Sequence, residues 1–227
     1  MKTICCALSL MFMKYWLYEV VTVLALVTAL GCAGDFNLQY ENSIAGQDYV
    51  TAKNLMRQQA KELSYRDKNA TLQLRLAQTL YRMAYAHGKL GEYDSMKVAL
   101  YSSANHDRSL AKHQERMTEY FANEEYNHAA AAYNGGDFEG SLQRLRVALS
   151  ILSSEKTHGS CLIAILRGMS SAALAAGDME EARESFRKGS DLGDSAAREM
   201  LTEFKRGETP KPLPRLEPRE NPSIKIL

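Results

Sequence analysis

Proline is missing from the first 209 of the 227 residues; all five prolines stand at positions 210, 212, 214, 218 and 222. A helix interior excludes proline at about 3 kcal/mol each, whereas strands and irregular loops accept it. A proline-free body of this length therefore predicts an all-helical protein followed by a separate tail. A composition of 45% hydrophobic and 24% charged residues excludes a disordered or collagenous chain. An excess of one charge is missing as well: 28 Lys and Arg oppose 27 Asp and Glu, a net of +1. Dedicated nucleic-acid binders carry a clear basic excess, so no nucleic-acid partner is expected. The signatures of catalysis are absent too: there is no phosphate-cradling glycine loop, G-x-S-x-G, H-E-x-x-H or C-x-x-C. The histidines are scattered at 87, 106, 113, 128 and 158. His106 and His113, with Asp107 adjacent, make a set too sparse for a metal and are better read as surface histidines. No enzyme, cofactor, metal site or small-molecule substrate is expected.

What is present begins with an address. Lys2 and Lys14 precede an apolar run, Val20 to Leu30, of only eleven residues, with Glu19 at its start. Crossing a bilayer takes about 20 residues, so residues 1–31 read as a secretory signal rather than a membrane span. Met13-Lys14-Tyr15-Trp16 would make a more typical opening, with Met13 or Met11 as the start. Ala29-Leu30-Gly31-Cys32 resembles the bacterial lipobox, although leucine usually sits one place earlier, where this chain has Ala29. That resemblance implies that Cys32 is acylated and becomes the mature N-terminus; an ordinary cleaved signal is the alternative. With no Asp beside Cys32, it also implies an outer-membrane anchor facing the periplasm. From Cys32 onward the chain is neutral, with 26 basic and 26 acidic residues in 196. Cys5 and Cys6 leave with the signal and lipid takes Cys32, so only Cys161 remains. Beside Leu162, Ile163 and Ile165 it reads as a small buried hydrophobe.

A repeat runs through the body. Gly91-Glu92-Tyr93, Gly136-Asp137-Phe138 and Gly177-Asp178-Met179 each read glycine, acidic, large apolar. Small residues recur twelve after each glycine (Ser103, Ala148, Gly189) and seven before it (Ala84, Ala129, Ser170). A degenerate copy stands upstream as Gln47-Asp48-Tyr49, with Ala52 in the matching small position. Glycine accepts the left-handed conformation that ends a helix. The acidic residue falls at the next helix N-terminus, where negative charge is favoured. Small residues on both helices let the pair cross closely. The pattern predicts helical hairpins, with Ser43 capping a first helix to Ser64 and Arg108 to Asn134 forming one long helix.

These residues resemble the tetratricopeptide repeat (TPR) family over about residues 46–206, most closely from Gly136 to Ile151 and from Leu166 to Leu192. The glycines lie 45 and 41 apart rather than 34, and the family's helix-ending proline is absent. The resemblance implies an α-solenoid of about three and a half TPR-like hairpins plus a capping helix. The expected organisation is a signal at 1–31, a linker at 32–45, the helical domain at 46–206 and a Pro-rich disordered tail at 207–227. In this family partner peptides lie in a concave groove lined by the first helix of each hairpin. The matching positions here include Gln78, Tyr81 and Tyr85 with Lys89 beside them, then Asn123, Tyr126 and Tyr133 with Asn134 adjacent, then Arg167. Tyrosine gives large contact area at low entropic cost; the alternative is that the tyrosines only pack hairpin on hairpin. The expected function is a membrane-anchored periplasmic scaffold that binds an extended peptide or helix of a protein partner. A self-associating structural lipoprotein is the rival, and an envelope enzyme with an unrecognised site a weaker one.

Overall fold

The computed structural model describes residues 36–65, 69–152 and 159–226, and these are all-helical apart from turns and the C-terminal segment. Helix α1 covers 36–45, followed by α2 (Tyr49–Ser64), α3 (Ala70–Lys89), α4 (Tyr93–His106), α5 (Ala111–Asn134), α6 (Phe138–Ile151), α7 (Gly159–Ala176), α8 (Met179–Asp191) and α9 (Ser195–Lys205). From α2 onward each helix packs chiefly on its neighbours in sequence, while α3 also touches α5 and α5 touches α7. The signal expected at 1–31 and Cys32 lie outside the described residues.

The turns show why glycine and an acid stand together. Gly91, Gly136, Gly177 and Gly193 have φ of 73°, 87°, 84° and 91°. The next residue's N–H then reaches back to the carbonyl five residues earlier: Asp137 to Ala132 at 2.9 Å, Asp178 to Ala173 at 2.8 Å. This double closure satisfies carbonyls that the helix end leaves open. The same aspartate caps the next helix, Asp137 Oδ1 accepting from Gly140 N at 2.9 Å and Asp178 Oδ1 from Glu181 N at 3.0 Å. One two-residue unit thus ends one helix and starts another. Its degenerate copy works in the same way: Gln47 adopts φ 58° and Asp48 caps α2 through Thr51 N at 3.0 Å.

That turn corrects two expectations. Ser43 does not cap a helix to Ser64, because the chain breaks at 46–48, and the stretch expected as a linker at 32–45 is helical from residue 36. Tyr40 explains the second point: it is 1% exposed, packs with Ala52, Met56 and Ala86, and donates its hydroxyl to Arg82 O at 3.1 Å. The long helix also starts later than expected, at Ala111, after a short 3-10 turn at Arg108–Leu110 capped by Asp107.

The repeated small residues Ala52, Ala84, Ser103, Ala129, Ala148, Ser170 and Gly189 are all buried. Gly88 is tighter still, since a methyl group there would sit 2.3 Å from the Phe121 ring. Helix α7 is long and apolar enough to cross a membrane by composition, but 61% of it is buried within the protein. Its Leu166, Met169 and Ala173 belong to the main core, so its apolarity is explained by packing.

Candidate peptide-binding groove

Helix α5 carries Asn123, Asn127 and Asn134, spaced four and seven residues apart, and therefore on one face. Their side-chain amides meet the C-terminal segment. Asn134 donates Nδ2 to Leu216 O at 2.9 Å and accepts from Leu216 N at 3.0 Å. Asn127 repeats this with Arg219, donating to its carbonyl at 2.9 Å and accepting from its N–H at 2.7 Å. Asn123 donates to Glu220 O at 3.1 Å and accepts from Arg219 Nε at 3.0 Å. Tyr133 donates its hydroxyl to Leu213 O, and Ser171 Oγ on α7 accepts from Leu213 N at 3.3 Å.

An amide side chain has one donor face and one acceptor face, as a peptide unit does. Asn134 and Asn127 therefore act on the bound segment as two rungs of a neighbouring strand would. The spacing suits this use. Seven helical residues advance about 10.5 Å, and three residues of an extended proline-type chain advance about 9.3 Å. Leu216 and Arg219 are three apart, so each rung meets a backbone unit in register. The segment runs antiparallel to α5.

The tail was expected to be disordered, and the structure corrects this. Leu216 is 2% exposed and joins the main core, Ile224 packs against it, and Ile226 reaches the surface around Tyr40 and Arg82. Proline-rich composition signals that a segment cannot form its own helix or strand; it says nothing about side chains elsewhere that complete its hydrogen bonds.

The expected groove residues divide. Asn123, Tyr126, Tyr133 and Asn134 lie at this surface: Asn123 is 1% exposed, Tyr126 and Tyr133 5% each, and Asn134 is itself exposed. Burial raises the pKa of Tyr126, which the nearby Arg219 opposes, and burial raises that of Tyr133. Tyr81 is core instead, 1% exposed, with no hydrogen-bond partner for its hydroxyl among the described residues and burial pushing its pKa up to about 12. Tyr85 is closed in by the rings of Tyr49 and Phe121 at 6.4 and 6.0 Å. Lys89 is held by Glu124 at 2.6 Å and Tyr120 at 3.1 Å. Burial would lower its pKa, but those bonds outweigh it and raise the pKa. Gln78 is half-buried on α3. Arg167 grips Asp194 with two bonds of 2.7 and 2.6 Å, tying α7 to the cap of α9. Asn127 escaped the sequence reading because it stands one place after Tyr126, the position matched to the family's groove. The four- and seven-residue spacing of asparagines was the signal that could have found it.

Cys161 is fully buried, donates to Asn123 Oδ1 at 3.3 Å, and has its pKa pushed up to about 11 by burial, with Arg219 opposing. Its thiol is therefore not an activated nucleophile. Among the described residues no group of three or more His, Cys, Asp and Glu is arranged for a metal. His106 instead bonds Gln73 at 2.6 Å, and the His113 ring meets Tyr81 edge-on at 6.2 Å. No protein-family model matches the chain, and no curated protein matches it.

Proposed function

We propose that this chain is a membrane-anchored adaptor, a TPR-like solenoid that holds an extended segment of another envelope protein and helps assemble or localise a complex. The observation that carries the reading is the pair of two-point bonds from Asn127 and Asn134 to a peptide backbone. Backbone pairing of this kind holds an extended chain by its register, while pockets between the rungs select side chains. The glycine–acid turns and buried small residues support the TPR-like assignment, and the Ala29-Leu30-Gly31-Cys32 motif supports a lipid anchor at Cys32 on the periplasmic face of the outer membrane.

Photocrosslinking in cells from position 164, beside the groove on α7, tests the adaptor reading. An adduct to a different protein is expected, and it should disappear when Asn127→Ala and Asn134→Ala are added. Adducts only to this chain would end the adaptor reading and favour self-association. Palmitate labelling that persists in Cys32→Ser would remove the proposed anchor.

A further inference from the structure

The segment that fills the groove belongs to the chain itself. We propose that residues 208–226 are a resident competitor held in cis, and that the partner segment displacing them carries the same features: an extended backbone, an apolar residue at the Leu216 position and an arginine three residues later. This rests on the reading of the α5–α7 face as a peptide groove.

Three features of the segment define the class of partner. The α5 amides bond only backbone atoms of Leu216, so its side chain is read by burial, at 2% exposure. Arg219 is read by its guanidinium, from Nε to Asn123 at 3.0 Å and from a terminal nitrogen to Ser160 O at 3.4 Å. Between and around them, Pro214 and Pro218 hold the backbone extended at positions where no N–H is used. Arg215 and Glu217 point to weaker selection, since they pair with each other at 3.5 Å and both are exposed.

Two further features set the terms of displacement, one favouring it and one opposing it. An open cleft of about 310 Å³ remains between the segment and α7, bordered by Ile163, Ala164 and Leu213 and by the charged Arg167, Arg215 and Glu217. The tail therefore leaves groove surface uncovered where a partner could add both apolar and polar contacts. The tether is also short: Gly207, with φ 78°, closes α9, and Leu213 is already on α7 and α5. A short tether gives the tail a high effective concentration, so a free peptide of equal intrinsic affinity competes poorly until its own contacts are better.

The test uses the full-length chain in detergent and, as probe, a fluorescein-labelled synthetic peptide of residues 208–226, read by anisotropy. The wild-type chain is expected to bind the probe at least about tenfold more weakly than a variant whose own tail carries Leu216→Asp and Arg219→Ala. Arg219→Ala alone, which spares the core, should give an intermediate gain. Adding Asn127→Ala and Asn134→Ala to the released variant should abolish probe binding, as should placing the two tail substitutions in the probe. Equal binding by wild-type and released chains would overturn the proposal by showing an open groove. No binding by either would overturn it by showing that the groove does not read this motif. A dimer formed by exchanging tails, seen as a doubled mass, would overturn the cis assignment. If the proposal fails while the crosslink to another protein survives, the adaptor reading stands without it; a bound probe with no such crosslink is the opposite case.

Discussion

Helices α3 and α5 occupy corresponding places in successive hairpins, with Tyr81 and Tyr126 at matching positions ten before Gly91 and Gly136, yet the two helices are covered differently. On α3, Tyr81 and Tyr85 are covered by side chains of the neighbouring helices, including His113, Tyr49 and Phe121. On α5, Tyr133 and the asparagines at 123, 127 and 134 are covered by backbone of the chain's own C-terminus. The difference lies in what accompanies the tyrosines. Lys89, held by Glu124 and Tyr120, closes the α3 side with internal bonds, whereas the α5 amides turn their donors and acceptors outward to an extended segment. Aromatic residues at a groove position thus say little about whether the position is open; amides at helical spacing say more.

The comparison breaks most sharply at Tyr81. Replacing it with alanine should lower unfolding stability by about 3–5 kcal/mol, the cost of emptying a large core site, measured by denaturant titration. Tyr81→Phe should be neutral or stabilising, because its hydroxyl has no partner among the described residues. A loss of under about 1 kcal/mol for the alanine variant would move Tyr81 from the core to an open groove. On α5 the double change Asn127→Ala with Asn134→Ala should act differently, costing about 1–3 kcal/mol. It should also make the tail cleavable by protease at Arg215 and Arg219 while α1–α9 stay intact.

The contact between α7 and the cap of α9 is expected to respond to acid. Asp194, whose side chain is fully buried, has its pKa lowered first by the Arg167 hydrogen bonds. A lowered folded-state pKa gives stability that is present above the ordinary carboxylate value of about 4 and lost as pH falls through the lower folded value. Asp194→Asn should therefore destabilise α9 at neutral pH and flatten that acid limb in a thermal-melt series. The smallest effect belongs to the N-terminal turn. Gln47 is the only non-glycine residue with positive φ among those described, and Gln47→Gly should raise stability by up to about 1 kcal/mol.

The hairpin turns were legible because left-handed backbone and helix caps each demand particular residues, so Gly136-Asp137 and Gly177-Asp178 announce both at once. Asn123 and Asn134 were singled out through the TPR resemblance, which implies a groove position at Asn123 and places Asn134 beside another. The tail's place was not, because the bonds from Asn127 to Arg219 and from Asn134 to Leu216 join residues more than eighty positions apart. Composition near Pro214 and Pro218 describes only what the segment cannot do alone. For Tyr81 the packing alternative describes the structure, for a related reason: a position in a helix fixes a direction, and the neighbouring helix decides whether that direction is open.

Hydrogen exchange at the Leu216 and Arg219 amides tests the occupied groove most directly, since each donates to one asparagine. Both amides should be protected in the wild-type chain and lose that protection together in the Asn127→Ala, Asn134→Ala variant. Exchange at unstructured-peptide rates in the wild-type chain would contradict the tail's place in the groove.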